Sequence, residues 1–201
     1  MPDVKGALRA GAVTLRRAVW SPLLLLALSA APVPAVETLS AALVEVSGPR
    51  GRGPGVVVGA DGQVLTSVRF VGLDEASVLA RGEAHGGDVL AADARLGIAV
   101  VKAGGGPWVA AAARQRDECR KGERLVAITR SGEGATATQV GAVLRLGTEA
   151  RPFLHTDLRA PPGTPLFDAR GRLVAVLVDG RGRALPVSAV RRWLSRGAGA
   201  P

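Results

Sequence analysis

The sequence of 201 residues contains no asparagine, no tyrosine, one cysteine and three lysines. A single cysteine, Cys119, excludes an intrachain disulfide, and no histidine lies near it in sequence. We therefore expect an incidental thiol rather than a redox or catalytic group. Scarce lysine with abundant arginine, alanine and glycine is the residue usage of a GC-rich genome. The formal net charge of +9 is for that reason weak evidence for any particular partner.

Aromatic residues make up only 3% of the chain, and no dense basic block carries interleaved aromatics. We therefore expect no nucleic-acid partner. A basic protein that binds anionic surfaces stays open as an alternative. The two histidines, His85 and His155, have no clustered carboxylates or thiols beside them, so we expect no metal site. The sequence indicates no cofactor.

The N-terminal segment has the pattern of an export signal. Basic residues occur at 5, 9, 16 and 17, and a charge-free run with LLLLAL at 23–28 and small residues up to Ala35 follows. This pattern predicts a secretory signal peptide over residues 1–35, cleaved after Ala35. The alternative is an uncleaved membrane anchor at 18–36, which three prolines interrupt. Either reading places the remaining chain in the periplasm or outside the cell.

Short apolar runs separated by turn residues follow the N-terminal segment, and each has the length of a β-strand. In the first half, the predicted strands are 43–46, 55–58, 64–66, 77–80, 89–92, 98–102 and 108–112, with His85 in an exposed hairpin loop at 81–87. In the second half, they are 124–129, 136–144, 152–156, 173–178 and 183–185. Helical spacing occurs only in the tail, where one face carries Val187, Val190, Trp193 and Leu194.

These strands predict an all-β protein of two packed β-barrels with a short C-terminal helix, because the strand–helix alternation of a parallel sheet is absent. We place the first barrel in residues 36–113 and the second in 123–186. An inter-barrel linker occupies 114–122, and the helix occupies 187–196.

Five segments occur in a recognisable order. They read GRGPGVVVGADGQVLTSVRFVG (51–72), DARLGIAVVK (93–102), KGERLVAIT (121–129), FLHTDLRAPPGTPLFDARGRLVAV (153–176) and ALPV (184–187). Together they are similar to the ordered motifs of the HtrA/Deg-type branch of the trypsin-like serine proteases. The resemblance implies the trypsin/chymotrypsin-like fold, a double six-stranded β-barrel. Because the chain ends five residues after Arg196, we expect no PDZ domain after the barrels.

The same resemblance places the catalytic triad at three positions that hold other residues here. The general-base histidine falls on Arg69, and the aspartate that orients it falls on Gly97. The nucleophile loop is three residues shorter than in the family, and Thr164 alone joins Gly163 to Pro165.

These replacements remove the chemistry that a serine protease needs. A hydroxyl is a weak nucleophile until an oriented base takes its proton, and an arginine stays protonated. Gly97 has no side chain to hold a base, and the shortened loop should lose the backbone donors of the oxyanion hole. We therefore predict a pseudoprotease with no catalytic residues.

The expected function is that of a non-catalytic module that binds or regulates a protein or peptide partner in the cell envelope. Residues for binding in the former cleft are Arg69, His155 and Thr164, and Arg69 has the charge to pair with a peptide carboxylate. One alternative is an active trypsin-like endopeptidase or other hydrolase with a relocated site of Thr164, His155 and Asp157. A further alternative is the binder of anionic surfaces.

Overall fold

A computed structural model describes residues 39–115, 119–130, 134 and 136–197 of the chain. The predicted signal peptide at 1–35, and almost all of the alternative anchor at 18–36, lie outside these ranges with the rest of residues 1–38, so both stay predictions. No helix in the described ranges is both long enough and apolar enough to cross a membrane.

The first half of the chain forms a closed barrel of six antiparallel strands. They are β1 (Leu43–Gly48), β2 (Gly51–Val57), β3 (Gln63–Ser67), β4 (Glu75–Ala80), β5 (Glu83–Asp93) and β6 (Ile98–Ala103). The order around the barrel is β1-β2-β3-β6-β5-β4, and pairing of β1 with β4 closes it. One turn of 3₁₀ helix, Val68–Phe70, follows β3.

The second half forms another closed barrel of six antiparallel strands. They are β7 (Arg124–Arg130), β8 (Thr136–Arg145), β9 (Leu154–Thr156), β10 (Pro165–Phe167), β11 (Leu173–Leu177) and β12 (Arg183–Pro186). Their order is β10-β11-β12-β9-β8-β7. Helix α1 (Val187–Gly197) begins directly after Pro186, because a proline is tolerated at the start of a helix but not inside one. The all-β double barrel with a short C-terminal helix is thus confirmed.

The largest apolar cluster lies between the barrels, and we call it the shared core. The first barrel contributes Val56, Leu65, Ile98 and Val100, and the second contributes Val126, Ile128, Phe167, Leu173, Val176 and Leu185. Helix α1 covers it with the face that the sequence spacing predicts, formed by Val187, Val190, Trp193 and Leu194. Each barrel also has a separate interior cluster.

Strand β6 shows how the sequence builds two cores at once. Residues Ile98–Val101 are all buried, and successive side chains of a strand point to opposite faces. Ile98 and Val100 pack in the shared core, whereas Ala99 and Val101 pack inside the first barrel. An uninterrupted apolar run is therefore needed wherever a strand has a core on both sides.

Two strand predictions differ from the structure. Residues 108–112 form no strand, and isolated backbone hydrogen bonds join them to β2 and β11. The Ala111 N–H only donates one hydrogen bond, of 2.8 Å, to the Val57 carbonyl. Strand β10, in contrast, has no counterpart among the predicted strands. It has three residues and starts with Pro165, which cannot donate to a ladder, so it lacks a strand-like sequence pattern.

The predicted exposed loop around His85 is also wrong. The turn takes only Arg81 and Gly82, and β5 starts at Glu83. His85 is half-buried in that strand, with its ring edge-on to Trp108 at a centroid distance of 4.9 Å. A glycine at 87 suggests a loop in the sequence, but in the structure Gly87 belongs to β5. It is needed there for packing, because a Cβ would lie 2.8 Å from a methyl carbon of Val101.

Two turns of the second barrel share the sequence Asp-x-Arg-Gly-Arg and the same hydrogen bonding. Asp168 Oδ1 accepts the N–H groups of Arg170 and Arg172 at 2.9 and 3.0 Å, and Oδ2 accepts Arg172 Nε at 2.9 Å. Asp179 repeats the backbone bonds with Arg181 and Arg183. Burial raises the pKa of Asp168, but the bonds from Arg172 and Arg170 outweigh it, and the pKa lies below its ordinary value.

Truncation of Phe167 tests the shared core. Its side chain is 0% exposed, so Phe167→Ala removes apolar contacts and leaves a cavity. We expect the free energy of unfolding, measured by urea denaturation, to fall by about 3–5 kcal/mol. The control is Val140→Ala, because Val140 is 43% exposed on β8 and its truncation should change stability by about 0.5 kcal/mol at most. Equal losses in both variants would contradict this account of the core.

The Asp168 turn generates a pH-dependent prediction. Asp168→Asn should lower the free energy of unfolding by about 1–2 kcal/mol at neutral pH, because hydrogen bonds to a charged acceptor are lost. The folded-state pKa of Asp168 is lowered, so the ionised carboxylate stabilises the fold above the ordinary aspartate value of about 3.9. That contribution is lost as the pH falls through the folded-state pKa.

The difference in stability between the wild type and the Asp168→Asn variant should therefore shrink below about pH 4. Urea denaturation of both proteins, from neutral pH down to about pH 3, measures it. A difference that stays constant over this range would show that the carboxylate charge is not what stabilises the turn.

Candidate functional site

Arg69 lies in the single 3₁₀ turn that follows β3. Ser67 caps this turn, and its Oγ accepts the Arg69 N–H at 3.4 Å. The Arg69 side chain is exposed, and among the described residues no ion pair holds it. An arginine at this position presents a permanent positive charge to solvent and cannot accept a proton.

Gly97 lies between β5 and β6, next to the Arg69 turn. Its carbonyl accepts the Val68 N–H and the Ser67 hydroxyl, both at 3.3 Å. Its φ is +74°, and a Cβ there would lie 3.2 Å from Val178 Cβ in the second barrel. Backbone conformation and space therefore both favour glycine, and an aspartate at 97 would be strained.

The loop before β10 places Gly163 directly against the first barrel. Gly163 has a φ of +86°, and a Cβ there would contact the Pro54 carbonyl oxygen and lie 3.2 Å from the Ser67 nitrogen. The Gly163 N–H donates to the Leu177 carbonyl at 2.7 Å, which fixes the loop to β11. The absence of a side chain thus allows the two barrel backbones to approach closely.

Thr164 follows Gly163 and is completely enclosed. It is 0% exposed, and its Oγ1 donates to the Pro161 carbonyl at 2.7 Å. Its own carbonyl accepts the Leu177 N–H at 2.9 Å. The hydroxyl proton is committed to a backbone acceptor rather than to a base, and the side chain has no surface with which to contact a ligand.

Arg69, Gly97 and the Gly163–Thr164 loop therefore converge on one point between the barrels, and Ser67 connects them. Ser67 is 1% exposed. It bonds to the Arg69 backbone and to the Gly97 carbonyl, and its nitrogen borders Gly163. In the sequence, Ser67 is marked only by its position two residues before Arg69. The groups that meet here are backbone atoms and one buried hydroxyl.

The other proposed site residues each have a partner of their own. Arg145 Nη2 lies 2.8 Å from His155 Nε2, and Asp157 Oδ1 accepts the Ala142 N–H at 2.7 Å. Since the Thr164 hydroxyl donates to Pro161, the hydrogen bonds of a Thr164–His155–Asp157 relay are not present.

No cluster of three or more histidine, cysteine or carboxylate side chains occurs in the part of the chain that the structure describes. Cys119 Sγ lies 4.0 Å from Arg114 Nη1. Arg114 in turn bonds Glu123 at 2.6 Å, and this pair joins the two ends of the predicted linker.

The geometry can be compared with known proteins. A family model described as a trypsin-like peptidase domain matches residues 53–176. A comparison with curated protein sequences finds no match. Among solved structures, the fold is similar to that of a serine endoprotease from Yersinia pestis, with a TM-score of 0.69 and 19% identity over 80% of this chain and 64% of that one.

Two further solved structures share the fold. Deg5 gives a TM-score of 0.67 and 21% identity over 78% of this chain and 88% of that one. The HtrA-type protease AlgW, solved with a decapeptide, gives a TM-score of 0.68 and 20% identity over 82% of this chain and 66% of that one. This chain thus spans less than two thirds of the length of the Yersinia pestis and AlgW chains. At these identities the likeness establishes the fold.

The contact between Gly163 and the first barrel can be tested by adding one methyl group. Gly163→Ala places a Cβ at a positive φ and against Pro54 and Ser67, so we expect a loss of about 1–3 kcal/mol in the free energy of unfolding. The control is Gly180→Ala, because Gly180 is exposed and a Cβ there meets nothing within 4 Å. The melting temperatures of both variants are compared with that of the wild type, and only Gly163→Ala should lower it. A Gly163→Ala variant as stable as the control would refute the close approach.

Proposed function

This chain belongs to the trypsin-like peptidase domain family, and we propose that it is a non-catalytic member that binds or regulates a protein or peptide partner. The family match confirms the trypsin-like part of the resemblance inferred from five sequence segments. The likeness of fold to HtrA/Deg-type structures supports the HtrA/Deg-type branch, which is part of the proposal. Loss of the catalytic triad is the part of the proposal that goes beyond this kinship.

The burial of Thr164 is the observation that carries the proposal. In the position where the family places its nucleophile, the hydroxyl is 0% exposed and bonded to the Pro161 carbonyl at 2.7 Å. An attacking oxygen has to reach a substrate carbonyl and to lie beside a base. Thr164 meets neither requirement in this structure.

The two other triad positions support the same function. Arg69 has no lone pair with which to accept a proton, and a carboxylate at 97 would be strained by the positive φ and by Val178. The members of a triad act as a unit, so the loss of any one removes most of the rate enhancement. Here none of the three roles has a suitable side chain.

A trypsin-like fold can bind a peptide without cleaving it. A peptide can be held by backbone hydrogen bonds and side-chain contacts that need no triad, and AlgW, which shares the fold, was solved with a decapeptide. We place the protein outside the cytoplasm, in the periplasm or secreted, on the pattern of residues 1–35. Its partner would be a protein or peptide of the cell envelope, and contact with the membrane would involve only residues 18–36 if they remain attached.

Labelling with a fluorophosphonate probe tests the absence of catalysis. We expect no labelling of the folded wild-type protein, and none of a Thr164→Ser variant, because the hydroxyl at 164 remains buried and bonded to Pro161. Active trypsin serves as the positive control. Stoichiometric labelling of the folded protein that disappears in a His155→Ala variant would support a relocated hydrolase site and overturn the proposal.

A further inference from the structure

A cleft of about 650 Å³ opens beside the converged positions, where the β5–β6 connection faces the β8–β9 loop. We propose that this arginine-lined cleft binds an acidic peptide segment through its carboxylates. This inference rests on the proposed peptide-binding function and specifies its ligand. The residues that carry it are Arg95, Arg145, Arg151, Arg183 and His155.

The charge of the cleft is of one sign. Four arginines line it, and no aspartate or glutamate is among its described lining residues. Arg95, Arg145 and Arg151 are exposed, and among the described residues none of them forms an ion pair with an acid. Like charges gathered in one concave surface repel one another and attract an anion. Their guanidinium groups match the planar geometry of a carboxylate.

Two of the cationic groups are held in place. Arg183 lies over the Phe153 ring at 4.7 Å from its centroid and pairs with Asp179 at 3.3 Å. Arg145 donates to His155 Nε2 at 2.8 Å. A guanidinium has only donor hydrogens, so the imidazole nitrogen is the acceptor in this contact and helps to orient Arg145. A held cation loses less side-chain freedom when it binds an anion.

Three acidic residues close in sequence to the lining arginines, Asp93, Glu149 and Asp179, do not line the cleft. Asp93 Oδ1 accepts the N–H groups of Arg95 and Leu96 at 2.8 and 2.9 Å, which shapes the connection that carries Arg95. Asp179 closes the turn before β12. Glu149 is exposed and lines a neighbouring depression. None of these carboxylates neutralises Arg95, Arg145 or Arg151.

The apolar part of the lining favours a peptide over a bare anion. Leu96, Leu146, Pro152 and Phe153 contribute apolar surface between the arginines, and Leu146 is 43% exposed. Inorganic phosphate would use the charges and leave this surface in water. A peptide with alternating acidic and apolar side chains uses both, because carboxylates can meet the arginines while apolar side chains cover the leucines.

Fluorescence anisotropy with a labelled peptide of alternating glutamate and leucine provides the test. The wild-type protein should bind this peptide, and added salt should weaken the binding. The same peptide with glutamine in place of glutamate should not bind. The double variant Arg95→Gln, Arg151→Gln should bind roughly tenfold more weakly, as the loss of two exposed charge contacts implies.

The matched control is the double variant Arg50→Gln, Arg170→Gln. It removes the same charge from exposed turns outside the cleft, and its affinity should stay within about twofold of wild type. Both variants change exposed side chains, so circular dichroism melting curves should show that the fold is retained. Equal weakening in both variants would mean that only overall charge matters, and it would overturn the proposal.

Two other outcomes would also overturn it. One is glutamine-peptide binding as tight as that of the glutamate peptide. The other is binding of duplex DNA more tightly than the peptide through the same arginines, which would make the cleft a nucleic-acid site. Fluorophosphonate labelling distinguishes a failure of this inference from a failure of the proposed non-catalytic function. Absent labelling with no peptide binding removes this inference alone, whereas labelling of the folded protein removes the proposed function.

Discussion

Apolar contact between the two barrels is the constraint on which the rest of the structure depends. Phe167 and Val176 of the second barrel share one buried apolar cluster with Ile98 and Val100 of the first, so the loops at this boundary have little freedom. Gly163 lies against Pro54 and Ser67, and Gly97 faces Val178. Contact between the barrels thus constrains Gly97 and Gly163 and encloses Thr164, whereas Arg69 remains exposed.

Much of the fold could be predicted from the sequence because the strands are punctuated by turn residues and have cores on one or both faces. The apolar run of β6 and the helical spacing after Pro186 are clear local signals. The errors have physical causes. Strand β10 is too short and starts with proline, and Gly87 serves packing where a glycine suggests a turn. Residues 108–112 are apolar, but they make isolated backbone hydrogen bonds instead of a ladder.

The site was partly predictable. Motif order located Arg69, Gly97 and Thr164, and the structure brings these positions together around Ser67. Sequence could not foresee that Thr164 is enclosed, since burial depends on the contact between the barrels. Nor could it distinguish the arginines of the cleft from the many others in the chain. Arg95, Arg145, Arg151 and Arg183 come from separate segments that only the folded barrels place side by side.

The left-handed backbone of Gly97 limits which residues this fold accepts at that position. An aspartate at 97 would destabilise the protein at once, through its φ of +74° and its approach to Val178. It would bring no benefit while an arginine stands at 69 and a buried hydroxyl at 164. The packing of the two barrels therefore disfavours any side chain at 97, whatever chemistry that side chain could supply.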